Sequence, residues 1–290
     1  MVFTGTRIDY HFRSRMADVA PKLARDPMPM FGHDELRAIV DTAATHGVKV
    51  AAHCSDFTLY GLDDVARDLD SIEHGYSCCV KNGMNTTTAD NGEIVNGDEE
   101  ALTRRIEERF SGKRTCWVPT LSAYYTMRKS NPAAWEKAQK TFRAALRSSK
   151  LDCLRIACGG DTGVFEHGTN ALELQLMVAL GADPLRVLQW ATLGGWGCVR
   201  SRRWESHDER HRLEATIRKT RLMNGALDEP RDAVGDNEMP FGVIRTGFSA
   251  DLIATRGDVE NDLQESVTSE NITFVMKMGK VYKRDGNATI

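Results

Sequence analysis

The stretch Lys49–Ser77, KVAAHCSDFTLYGLDDVARDLDSIEHGYS, decides how the whole chain is read. It contains two short apolar runs that close on His53 and His74, each followed by small or turn-forming residues. VKVAAHC is rich in β-branched and small apolar residues, nearly continuous in its hydrophobicity and too short for a helix, as a strand buried on both faces reads. SIEHG repeats the pattern after LDDVARDL, a short helix. Ahead of both lies HDELRAIVDTAATHG, with Leu36, Ile39, Val40 and Ala43 at helical spacing, Asp34 and Glu35 in the first turn and Gly47 as a stop.

The cycle continues outward. EEALTRRIEERFSG reads as a helix before the strand TCWVPTL, and PAAWEKAQKTFRAALRSSK as a helix before LRIACGGDTG. Strands that alternate with helices are parallel and joined by right-handed crossovers, so the fold class is α/β, either an open doubly wound sheet or a barrel. In both architectures the C-terminal ends of the strands share one face, where loops build the site. His53, His74 and Asp161, the last inside ACGGDTG, fall at such ends. Two imidazoles and a carboxylate suit zinc or a similar divalent cation. Either histidine alone is more often a hydrogen-bonded strand-end residue; the repeated context makes the set a candidate site.

Composition narrows the function. The chain has 290 residues, 41% hydrophobic and 27% charged, an ordinary globular make-up. A net charge of -3 argues against nucleic-acid binding, which draws on a clear basic excess, and leaves a small-molecule partner as the expectation. No stretch reads as a membrane span. Seven cysteines without paired spacing, Cys78 and Cys79 adjacent, point to reduced thiols and a cytoplasmic setting. No Walker loop or GxGxxG follows any predicted strand, which disfavours a nucleotide-binding flavodoxin-like sheet.

Several stretches together resemble the metal-dependent amidohydrolase superfamily, in the branch of imidazolonepropionase-like enzymes, amidohydrolase-type prolidases and ochratoxin-hydrolysing amidases. They are ELRAIVDTAATHGVKVAAHC, SIEHG, VPTL, GGDTGVFEHGTNALELQLMVALGADPLRVLQWATLGG, GFSADLIATRGD and ITFVMKMGKVYK, in family order from about Phe31 to the end. The resemblance implies a partial (β/α)8 barrel of the TIM type, with its fifth to eighth strands recognisable, and a small C-terminal β domain. It implies that His53, His74 and Asp161 hold the metal, that Asp161 is also the catalytic proton carrier, and that zinc or another divalent cation activates water against an amide or cyclic-amide C–N bond. His167 in FEHGTN and Tyr124 and Tyr125 after VPTLS are candidate substrate-binding residues. Met177, Leu180, Leu185, Leu188 and Trp190 are expected as helix core.

The family supplies an HxH pair from its first strand and a carboxylated lysine from its fourth. RIDYHFRSR is similar to the first-strand pattern, with His11 in the first ligand position and Arg13 where the second histidine belongs. Lys22, in APKLARD, is not assigned the bridging role. Four segments are therefore expected: an irregular 1–30, a barrel segment 31–200, a polar insertion 201–240 and a β-rich 241–290. The insertion mixes arginines with Glu205, Asp208, Glu209 and Glu214, as a solvated surface does, and His207 and His211 at i,i+4 lack the glutamate of a zincin pattern. The competing expectation is a shortened or degenerate amidohydrolase without catalysis, a binding or vestigial domain that holds zinc weakly and forms a homo-oligomer through unpaired strand edges.

Overall fold

In the computed structural model, 5–9, 31–57, 63–66, 68–77, 99–200, 202, 241–244 and 248–289 are described, the first of these as backbone only. The chain divides into two compact units between Ile156 and Ala157.

The first unit is built on a parallel sheet of β1 (Gly5–Asp9), β2 (Lys49–Asp56), β3 (Ser71–Ser77) and β4 (Cys116–Val118), in that spatial order. Its helices are α1 (His33–Thr45), α2 (Asp63–Ala66), α3 (Glu99–Phe110), α4 (Leu121–Thr126) and α5 (Pro132–Leu146). The expected helix and strand alternation is present through β4. The fourth expected strand, LRIACGGDTG, contributes only a parallel bridge from Ile156 to Trp117, with the Trp117 N–H donating to Arg155 O at 2.7 Å. Gly5–Asp9 is a strand inside the segment that reads as irregular, its Asp9 in register with His53. Apart from the RID that opens the first-strand resemblance, these five residues carry little pattern of their own, and backbone pairing with β2 supplies the rest. His11, Arg13, Lys22, Cys78, Cys79 and the whole polar stretch from Glu205 to Glu214, with His207 and His211, lie outside the described residues.

Alternation along β2 separates its faces. Val50, Ala52, Cys54 and Asp56 are buried, while Ala51, His53 and Ser55 are half-buried. The side of the sheet that carries α3 and α5 is filled by an aromatic cluster. Phe110 stacks on Trp117 with ring centroids 5.8 Å apart and planes 20° apart, and Phe57 and Phe142 flank the pair at 5.9 and 6.2 Å. Each of these rings is fully buried, and burying such a side chain stabilises a fold by about 1.5–3 kcal/mol.

Helix α1 begins where Gly32 N–H donates to Glu35 Oε2 at 2.8 Å and ends on Gly47, whose φ of 67° needs a residue without a Cβ. A polar clip ties it to α2: His33 Nε2 meets Asp64 Oδ2 at 2.7 Å, and Arg37 Nη1 donates to Asp68. The hydrogen bond to Asp64, with a second to Asp34, raises His33 above its ordinary 6.5, and the same bond to His33 lowers Asp64. The histidine contribution is complete below 6.5 and lost as pH rises through its raised value; the Asp64 contribution is complete above its ordinary value and lost as pH falls through the lowered one. Asp64→Asn is expected to return the His33 titration, followed by proton NMR, toward 6.5. An unchanged titration in that variant excludes the clip.

The second unit contains α6 (Leu172–Ala179), α7 (Pro184–Gln189), a π turn at Trp190–Gly194 and α8 (Gly195–Val199). An antiparallel sheet follows, of β5 (Leu252–Thr255), β6 (Ile272–Lys277), β7 (Lys280–Arg284) and β8 (Asn287–Ala288). GFSADLIATRGD and ITFVMKMGKVYKRDG thus pair as strands. The first hairpin turns on Met278 and Gly279, φ 50° and 77°, rather than on Gly279-Lys280, and Asp285-Gly286 repeats the same geometry. Met177, Leu180 and Trp190 are buried as expected, Leu188 is half-buried and Leu185 is 50% exposed. The reason is that the apolar stretch is not one helix: Gly181, at φ 107°, ends α6, and Asp183 caps α7 by accepting from Arg186 N–H at 2.9 Å. Among the described residues no helix is long and apolar enough to cross a membrane.

Candidate active site

His53 is the fifth residue of β2 and His74 the fourth of β3, so each strand runs three residues beyond its histidine. In register His53 lies beside Glu73, and His74 beside Cys54. Residues paired across parallel strands share a face, so regular pleating would send His74 to the buried side with Cys54, away from His53. A bulge prevents this. Between the pairs Cys54–His74 and Asp56–Ser77, β3 carries one more residue than β2, and His74 and Gly75 take φ of 74° and 54°. The turned ring brings His74 Nε2 to 2.8 Å from His53 Nδ1, with ring planes at 80°. One ring donates and the other accepts, so a single proton lies between the two nitrogens.

Strand β4 and its sequel hold His74 from the other side. Trp117 Nε1 donates to His74 O at 2.8 Å, and Thr120 Oγ1 lies 2.6 Å from His74 Nδ1. Thr120 is 2% exposed and left-handed, at φ 51° and ψ 46°. Tyr124 is buried, its ring edge-on to His74 at 5.8 Å and against Tyr76 at 4.5 Å. Tyr125 packs elsewhere, with Trp135 at 5.5 Å and the Arg128 guanidinium 3.7 Å over its face.

The other expected residues belong to the second unit. Asp161 is half-buried and left-handed, at φ 61°, and its carbonyl accepts from Val164 N–H at 3.2 Å. His167 is exposed in the turn before α6. Among the described residues no group of three or more His, Cys, Asp or Glu is placed to hold a metal ion. Among the described residues, the non-glycine residues with positive φ are His74, Thr120, Asp161, Met278 and Asp285. The last two are hairpin turns; the first three lie in SIEHG, VPTL and GGDTG. Strained backbone away from tight turns gathers where function requires a set geometry.

No family model and no curated protein matches the chain. Among solved structures it is similar to a Xaa-Pro dipeptidase with methionine bound in the active site, at 23% identity and TM-score 0.57, over 96% of this chain and 54% of that one. It is similar to A. niger ochratoxinase at 20% identity and TM-score 0.59, over 96% and 50%. A third structure, described as an amidohydrolase, aligns at 17% identity and TM-score 0.52, over 88% and 49%. The fold is an amidohydrolase fold. The chain spans about half the length of the solved amidohydrolase-type structures it matches.

Within that amidohydrolase fold, the two histidines named from sequence are side by side, and Tyr124 is their neighbour. Thr120 and Tyr76 were not singled out. VPTL held the clue for Thr120: a hydroxyl directly after a proline at a strand end is poised to act in the loop, although nothing in the pattern shows that it reaches His74.

Proposed function

We propose that this chain is a metal-dependent hydrolase that cleaves amide or cyclic-amide C–N bonds, dipeptide-like ones included, with an activated water. The observation that carries the reading is the meeting of His53 Nδ1 and His74 Nε2, 2.8 Å apart on adjacent parallel strands. Two imidazole nitrogens on one tetrahedral zinc, each at about 2.0–2.1 Å, stand about 3.3–3.4 Å apart, so a half-ångström separation of these rings fits a divalent ion. Thr120 on His74 Nδ1 supplies the outer hydrogen bond that a metal-ligating histidine requires.

On this reading β2, β3, β4 and the Ile156 bridge correspond to the fifth to eighth strands of a (β/α)8 barrel, and 241–290 to the flanking β domain. His53 and His74 would hold zinc or another divalent cation, and Asp161 is the third ligand that the amidohydrolase resemblance implies. When bound, the cation supplies a Lewis acid that acidifies water and polarises the scissile carbonyl. Asp161 takes the proton of the attacking water and passes it to the leaving nitrogen. Tyr124 and His167 are the proposed substrate contacts, while Tyr125 packs with Trp135 and Arg128 instead. The solved structures of similar fold, described as a Xaa-Pro dipeptidase and an ochratoxinase, suggest Xaa-Pro dipeptides and ochratoxin-like amides as first substrates to try. Among the described residues no disulfide is present, and a cytoplasmic setting, where thiols stay reduced, is part of this reading.

A second reading, a metal-free binding or vestigial domain, draws on the same contact, since the two rings already satisfy each other. Metal analysis of the purified chain, joined to hydrolysis assays on N-acyl amino acids, Xaa-Pro dipeptides and ochratoxin-like amides, separates the two. The hydrolase reading expects stoichiometric zinc, bound at least about 100-fold more weakly in His53→Ala and in His74→Ala, and turnover that chelation abolishes. Zinc uptake indifferent to both substitutions, or none at all, leaves the vestigial reading.

A further inference from the structure

We infer that Thr120 is the positioning residue for His74: its hydroxyl fixes the ring and satisfies Nδ1 in either tautomer. Thr120 is the residue before the first turn of α4, a place where threonine ordinarily accepts a hydrogen bond from the helix N-terminus. Its side chain makes no such bond. It also takes a left-handed backbone, which a β-branched residue adopts only when the surroundings impose it. Both departures place the hydroxyl 2.6 Å from His74 Nδ1, closer than the His53 nitrogen is to Nε2. The site is 2% exposed, so water does not compete for the ring. The same segment holds the histidine backbone through Trp117 Nε1, so β4 and the residues directly after it grip His74 at the carbonyl and at the ring.

The chemistry needs a group that both donates and accepts. With the shared proton on His74 Nε2, Nδ1 is bare and the Thr120 hydroxyl donates to it. When Nε2 gives its lone pair to a cation, the ring keeps its proton on Nδ1 and the Thr120 oxygen accepts it. Serine does both, whereas valine, of the same shape, does neither.

The inference rests on the metal-site reading only for its affinity, and the test separates the two. Protein labelled with 15N-histidine, free of metal, gives the His74 Nδ1 resonance, assigned by its disappearance in His74→Gln. In the wild type it is expected at the position of a hydrogen-bonded nitrogen, in Thr120→Val at that of an unbonded one, and in Thr120→Ser back at the wild-type position. Zinc affinity is expected to fall about 10- to 100-fold in Thr120→Val and to recover in Thr120→Ser. Thr120→Gly removes the hydroxyl while relieving the left-handed backbone, so it serves if the valine variant folds poorly, and the same resonance change is expected. A wild-type Nδ1 resonance in the valine or glycine variant overturns the inference, whatever zinc does. A wild type that takes up no zinc removes the metal-site reading and leaves Thr120 to be judged on the metal-free resonance alone.

Discussion

Trp117→Ala is expected to destabilise the protein by about 3–5 kcal/mol, the largest effect of any single substitution considered. The indole is 1% exposed, stacked on Phe110 and flanked by Phe142, so its removal leaves a cavity that two rigid rings, each held on a packed helix, cannot close. It also strips His74 O of its 2.8 Å donor. Trp117→Phe separates these terms, because a ring remains while the donor is lost, and is expected to cost about 1–3 kcal/mol. Urea unfolding with an unchanged slope measures both. A cost under about 1 kcal/mol for the alanine variant would mean that this cluster is not the core of the first unit.

Gly75→Ala is expected to cost about 2–5 kcal/mol from two sources. The first is backbone: φ of 54° disfavours any residue with a Cβ by about 1–2 kcal/mol. The second is space. A Cβ there would sit 3.1 Å from Ile72 Cγ2 and from Trp117 Nε1, and 3.3 Å from Phe57 Cβ, all in the interior, and overpacking of this kind costs about 1–3 kcal/mol. Gly47→Ala isolates the first source, since Gly47 has a similar φ of 67° and nothing within 4 Å of an added Cβ. Equal losses in the two variants by thermal or urea unfolding would refute the packing half of the argument. Because the indole moves with its Nε1, Gly75→Ala also loosens the hold on His74 and, on the proposed hydrolase reading, is expected to weaken zinc uptake along with stability.

How much of this was legible beforehand differs from element to element. The helices α1, α3 and α5 were plain, because each has an apolar stripe at helical spacing and a stop residue or cap. The strands β2 and β3 were plain because buried parallel strands read as unbroken apolar runs between turn residues. The β5–β6–β7 pairing followed from β-rich segments with glycine at the bend, although Met278 takes half of that turn. LRIACGGDTG read as a full strand and delivers one bridge, since apolar content does not reveal whether a neighbour's backbone is in reach. Gly5–Asp9 was only partly legible, for the converse reason: RID opens the stretch that resembles a first strand, but its composition is plain and its pairing partner makes it a strand.

The sequence by itself determined the α/β class, the order of the elements, and the presence of a histidine in each of two neighbouring strands. These are local or periodic properties, and propensity and patterning carry them. Only the tertiary structure decided that the two imidazoles meet. By register His74 belongs on the face away from His53, and it reaches His53 because an extra residue and two left-handed backbones turn it over. That conformation costs energy locally and is paid back by the Trp117 indole on the His74 carbonyl and the Thr120 hydroxyl on its ring, contacts formed with residues 43 and 46 positions along the chain. No window of sequence short enough to have a period contains both the strain and what balances it, so the geometry of this site becomes visible only once the strands are side by side.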